Sequence, residues 1–288
     1  MKMLRTLFLT GSVLIMLCAC GEQKEPAAQD ADTVPPASSN QDEQAPADQP
    51  TETVVDGDDT NEEMTVIKDT DGLPLLTASI TRPNVSGLVV GAAKKSIDRY
   101  YDDLYQQEQE WWKEDLVDFA RENKKAVANY GGDFLPYTVE EINQIIYNGD
   151  TFLSIRRDLS TYTGGAHGST AISCDNFRKS DGSPVHLSEL FREDNYKELL
   201  VQNIKEQIES MQENPDNEAF FSGDWPDALE STFDEAHFLI GSEALTIVYQ
   251  EYDIAPYAAG PQLFQIDYAD ISNELSETFL RDIYGGKE

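Results

Sequence analysis

An α+β fold is expected for this chain: antiparallel sheet packed with helices, including one long aromatic-rich helix in the N-terminal half. Three observations predict it. Apolar residues recur at helical intervals from residue 89 to 130, alternation of period two takes over at Thr138, and helices and hairpins are segregated along the chain with no βαβ rhythm.

In order, residues 64–68 and 75–82 read as extended segments. The helical pattern follows, with Ile97, Tyr101, Leu104, Trp111, Leu116, Phe119 and Val127 as its apolar stripe and Gly131-Gly132 as its stop. Tyr100, Tyr101, Tyr105, Trp111 and Trp112 would suit sugar stacking, but the stripe needs most of them for the core. Beyond it, residues 138–147 and 151–161 form strands about an Asn148-Gly149-Asp150 turn. A further strand spans 169–178, and Ser180-Asp181-Gly182 turns the chain again. The segment HLSELF at 186–191 leads into an amphipathic helix over 196–211. Strands at 236–240, 244–249 and 262–267 follow, the first two joined at Gly241-Ser242, and a helix over 271–284 closes the chain.

The N-terminus carries Lys2 and Arg5 before an apolar run from Leu7 to Ala19, the pattern of an export signal and too short to span a bilayer. It ends Leu17-Cys18-Ala19-Cys20, a lipobox, so residues 1–19 are expected to be cleaved and Cys20 lipidated. Each acyl methylene buried would contribute roughly 0.8 kcal/mol to a membrane anchor. Gly21 is not the aspartate of inner-membrane retention, so an outer membrane, facing the periplasm, is expected where the envelope has two membranes. Residues 21–62 hold twelve acids, one Lys and five Pro, with no Leu, Ile or aromatic residue. Such a segment buries too little apolar surface to fold and makes a tether with an r.m.s. span of about 35 Å. Asp56, Asp58 and Asp59 lack the Gly and closing Glu of a calcium loop. The expected organisation is signal 1–19, lipidated Cys and tether 20–62, and a folded module in two halves, 63–137 and 138–288. With Cys18 removed and Cys20 acylated, Cys174 has no partner and reads as a small strand hydrophobe.

The ordered series YTGGAHG at 162–168, the Asp181-Gly182 turn, HLSELF and YDIAPYAAGPQLFQI at 252–266 resembles the extracytoplasmic module of the RsiV-like family of lysozyme-sensing anti-sigma factors. That module is shared with uncharacterised lipoproteins and with N-terminal parts of peptidoglycan deacetylases. The match is strong over 138–284 and looser over 64–137. The resemblance implies a binding unit, with a lysozyme-like protein as partner. Family members carry a sigma-binding segment and a membrane span before the module, where a cleavable signal is expected in this chain. The deacetylases carry a catalytic domain after it, and none is expected in this chain.

TGGAHG itself matches no Gly-x-Ser-x-Gly elbow, Walker loop or dinucleotide fingerprint. On one strand His167 and Ser169 would sit about 6.7 Å apart, too far for a dyad that needs about 2.6–3.2 Å. With three histidines, no His-Glu-x-x-His and no paired cysteines, neither a metal nor a cofactor is expected, and no catalytic residue is assigned. Gly164, Gly165 and Gly168 are expected to permit a sharp bend that His167 fixes by a local hydrogen bond. Pro256, Tyr257 and Gly260 mark a preset irregular loop. Tyr162, Gly164, Gly165, His167, Gly168, Pro256, Tyr257 and Gly260 are the candidate binding residues.

Residues 63–288 hold 18 basic and 42 acidic side chains, a formal charge of −24. Nucleic acid is excluded as a natural partner, because phosphate recognition wants the opposite sign. A cationic protein is attracted, and solubility alone would also account for the charge. The alternative partner is a peptidoglycan glycan, which calls for an exposed aromatic groove using Trp111, Trp112 or Tyr257. An unrecognised hydrolase would need His167 to meet a group from another segment.

Overall fold

The computed structural model describes residues 61–213 and 225–285. The expected signal, Cys20 and the tether up to residue 60 lie outside the described residues.

The architecture is α+β. A five-stranded sheet in the order β1-β2-β3-β4-β5 is built from β1 (Asn61–Lys68), β2 (Pro74–Arg82), β3 (Tyr137–Asn148), β4 (Phe152–Tyr162) and β5 (Ser169–Arg178). A second sheet contains β6 (Phe238–Ile240), β7 (Ala244–Tyr249) and β8 (Gln262–Asp267), all antiparallel. One feature corrects the expectation of no βαβ rhythm: β2 and β3 run parallel, and the long helix is the crossover between them. A parallel pair needs such a connection, because a tight turn cannot reverse the chain twice.

The crossover consists of α1 (Gly91–Glu110), a π-helical stretch (Trp111–Leu116) and α2 (Val117–Asn129). Its end agrees with the sequence: Gly131 takes φ 72°, and the Gly132 N–H donates to the Val127 carbonyl at 3.1 Å, closing the helix as Schellman caps do. The stripe differs. Ile97, Tyr101, Leu104 and Leu116 are buried as expected, but the chain then buries Trp112 and Ala120, while Phe119 is 46 % exposed. A π turn carries one residue more than an α turn and rotates everything after it. Tyr101, Tyr105 and Trp112 do serve the core.

This helix covers the face of the sheet formed by Leu76, Ala78 and Ile80 of β2, Val139 of β3, and Ile155 and Leu159 of β4, all buried. On the opposite face Asn176 of β5 fastens the second sheet: its Nδ2 donates to the Phe238 carbonyl at 2.7 Å and its Oδ1 accepts from the Ile240 N–H at 3.0 Å. A second core gathers around α3 (Tyr196–Gln212), α4 (Trp225–Ser231) and α5 (Glu277–Tyr284). Leu200, Ile204 and Ile208 meet Leu229, Phe264 and Phe279 there. HLSELF forms a 3-10 turn over Leu187–Leu190, held by Glu189 Oε1 accepting from the His186 N–H. The closing helix starts at 277 rather than 271, because Ser276 Oγ caps it by accepting from the Phe279 N–H at 3.2 Å.

Candidate functional site

The TGGAHG segment is the tip of the β4–β5 hairpin, beyond the last pair Thr161 and Ser169. Gly164 and Gly165 both take φ near 90° (91° and 92°), in the region that favours glycine. A Cβ at Gly168 would stand 2.6 Å from the Thr161 carbonyl oxygen. Tyr162 Oη donates to the Gly165 carbonyl at 3.1 Å and His167 Nδ1 to the Gly168 carbonyl at 2.9 Å. The bend is thus fixed by its own side chains. Ser169 Oγ donates to Glu251 Oε2 at 3.0 Å, so the hydroxyl is committed away from His167.

The second loop reaches the tip from about 80 residues further along the chain. Gln250 lies against the outer edge of β5, its amide accepting from the Ile172 N–H at 2.9 Å and donating to the Ile172 carbonyl at 2.8 Å. Glu251 Oε1 accepts from the Thr170 N–H at 3.0 Å. These side chains imitate a sixth strand and seat the loop that follows. There Tyr252 holds φ 68°, a strained conformation for a bulky residue and of the kind found at functional sites. Pro256 precedes a 3-10 turn, Tyr257–Ala259, and Gly260 at φ 64° follows it.

The two loops meet in an aromatic row. His167 stacks on Tyr257 with centroids 3.8 Å apart, and Tyr257 on Tyr252 at 5.9 Å. Tyr252 is 61 % exposed. Beside the row lies an open cleft of about 200 Å³ lined in part by Glu140, Ser160, Tyr162, Ser169, Thr170 and Tyr257. Desolvation and then the nearby Glu251 charge raise the Tyr257 phenol, keeping it a donor. The structure therefore brings Tyr162, His167, Gly168 and Tyr257 to one place, with Gly164, Gly165, Pro256 and Gly260 shaping the loops around them. Trp112 is in the core. Among the described residues no three His, Cys, Asp or Glu side chains are grouped to hold a metal ion.

Comparison with known proteins divides the row between two modules. The family model "Deacetylase PdaC" matches residues 71–170 and "Protein of unknown function (DUF3298)" matches 188–269. The anti-sigma-V factor RsiV of Bacillus subtilis is 24% identical over 206 residues, 70% of this chain and 67% of that protein. The folded part is thus similar to the matched part of RsiV. A DUF3298 family member from Bacteroides fragilis shares its fold, with a TM-score of 0.54 at 20% identity over 79% of this chain and 96% of that one. A DUF3298 family protein from Pseudomonas aeruginosa gives 0.46 at 10% identity over 76% and 94%. His167 falls in the first matched module, Tyr252 and Tyr257 in the second.

The RsiV-like module also holds a polar cluster that the sequence reading missed. Between α1 and the sheet, Arg157 Nε donates to Asp175 Oδ2 at 2.9 Å, and Arg157 Nη1 to Glu141 Oε1 at 3.1 Å and Glu108 Oε1 at 3.2 Å. Tyr100 and Tyr101 donate to Asp175, and Tyr105 to Glu141. Strand parity signals it: Glu141 shares the inward face with Tyr137 and Val139, and Arg157 with Ile155 and Leu159. Cys174 on β5 is partly buried, and burial followed by the Asp175 charge pushes its thiol up, which disfavours the thiolate.

Proposed function

We propose that this chain is an exported, lipid-anchored envelope protein whose RsiV-like module binds a cationic protein of the lysozyme class, without a catalytic centre of its own. The observation that carries the reading is the His167–Tyr257–Tyr252 row beside the Glu140 cleft. Exposed Tyr252 on its strained backbone and half-buried Tyr257 stacked beside it, on a loop pinned by Gln250 and Glu251, make an anchor of low entropy cost. Tyrosine faces next to a carboxylate attract the guanidinium and ammonium groups of a basic partner. The formal charge of −24 on residues 63–288 steers such a partner inward. Ser169 Oγ is bonded to Glu251 and turned away from His167, which supports binding over a Ser-His dyad. Anchoring rests on the lipobox at Cys20, and among the described residues no helix is long and apolar enough to cross a membrane.

The test is calorimetric titration of the protein with a basic lysozyme and with an equally basic unrelated protein, at low and physiological salt. Saturable binding to lysozyme alone that survives physiological salt, and that weakens at least tenfold in Tyr257→Ala, supports the reading. Equal binding to both that vanishes with salt overturns it. A second reading, a peptidoglycan glycan as ligand, is favoured by the hydroxyls of Ser160 and Thr170 lining the cleft beside the aromatic row. It predicts salt-insensitive binding to purified peptidoglycan, lost in the same variant.

A further inference from the structure

The polar cluster under α1 contains more acceptors than donors. Glu108 on α1 and Glu141 on β3 both take a bond from the same nitrogen, Arg157 Nη1. Their side chains are 11 % and 0 % exposed. The remaining oxygen of each, Glu108 Oε2 and Glu141 Oε2, is buried with no donor, as is Asn143 Oδ1. One guanidinium faces three carboxyl groups, so a fully ionised cluster would bury a net charge of about −2 in a low-dielectric layer, a costly arrangement. A single proton on Glu108, whose side chain lies within hydrogen-bond reach of Glu141, removes one charge and turns one acceptor into a donor.

We propose that Glu108 keeps a proton at neutral pH, donates it to Glu141, and thereby latches the long helix onto the sheet. The surroundings agree. Burial, and next the Glu141 charge, raise the Glu108 carboxyl to about 8. Every packed element contributes to this environment: Tyr100, Tyr101 and Tyr105 from α1, Glu141 and Asn143 from β3, Arg157 from β4, Asp175 from β5, and from β2 Arg82, whose guanidinium lies 4.6 Å over the Tyr105 ring and pairs with Asp102. The tyrosines are held far above their ordinary value, first by burial, and stay protonated throughout the range concerned. The π turn begins three residues after Glu108 and places Trp112, one turn on, against the core.

Because the folded form holds the Glu108 proton more tightly than the unfolded chain, this stabilisation is complete below about pH 4.5 and is lost as pH rises toward about 8. Loss of the proton leaves two buried carboxylates facing each other and loosens α1.

The test uses the full chain and its Glu108→Gln variant, with urea unfolding measured from pH 5 to 9 and hydrogen exchange of the α1 amides followed alongside. Glutamine keeps a donor at every pH. The unfolding constant of the wild type, relative to the variant, should rise about tenfold per pH unit between pH 5 and 8 and level off above, and protection of the α1 amides, relative to their intrinsic exchange rate at each pH, should fall over the same range only in the wild type. Parallel pH profiles for the two proteins would overturn the proposal. Glu141→Gln provides the same readout if the first variant folds poorly, and a wild-type slope unchanged in it would equally reject the shared proton.

Discussion

Replacing Arg157 with methionine removes the positive charge of the buried cluster while keeping much of its volume. The side chain is 5 % exposed, makes ion pairs of 2.9 and 3.1 Å to Asp175 and Glu141, and donates at 3.2 Å to Glu108, which is neutral at pH 7. Each pair at that range is worth about 5 kcal/mol at an effective dielectric constant of 20, most of it offset by the cost of desolvation. What the substitution leaves behind decides the outcome. Asp175 retains two tyrosine donors and Glu141 one, but the negative charges lose their counter-charge inside the protein. Removing one partner of a buried pair costs about 3–5 kcal/mol. For a folded region of this size that is a fall in Tm of about 6–20 °C. Differential scanning fluorimetry at pH 7, with urea unfolding as the second measure, reads it directly. A loss below about 1 kcal/mol would refute the reasoning, because it would mean that water reaches the cluster and that the ion pairs behave as surface pairs.

Two further substitutions address the hairpin and its partner loop. Gly168→Ala drives a methyl group against the Thr161 carbonyl oxygen at 2.6 Å, and urea unfolding should show a loss of about 1–3 kcal/mol; an unchanged midpoint would show that the tip simply opens. Gln250→Ala removes the two bonds to the edge of β5, leaving the Ile172 amide without its partner. Its hydrogen exchange should accelerate, with a stability loss of about 1–3 kcal/mol, and unchanged protection of that amide would mean that Gln250 does not hold the edge.

Strands were the most legible part of the sequence, because period-two alternation survives wherever one face is buried, as in Tyr137, Val139 and Glu141. The same alternation pointed Glu141 and Arg157 inward, and only the habit of treating charge as solvated hid them. The helix was read correctly in extent but out of phase at Trp111 and Phe119, since a π turn leaves no compositional mark and puts Trp112 and Ala120 in the core instead. The parallel pairing of β2 with β3 was invisible for a different reason: strand patterns state which face is buried and say nothing of direction. Glycine spacing revealed the hairpin tip, and the prolines and Gly260 revealed its partner loop. Their meeting depends on the amide of Gln250 and the carboxylate of Glu251, two side chains whose partners lie about 80 residues away.

That separation governs when the aromatic row comes into being during folding. The five strands of the first sheet are complete by Arg178, whereas Tyr257 meets His167 only after residues 250 and 251 have docked on the finished edge of β5. Contacts so distant along the chain form late, once local structure has reduced the entropy of closing the loop. A refolding chain is therefore expected to acquire its sheet before its aromatic row, and recovery of the His167–Tyr257 stack should follow recovery of the sheet.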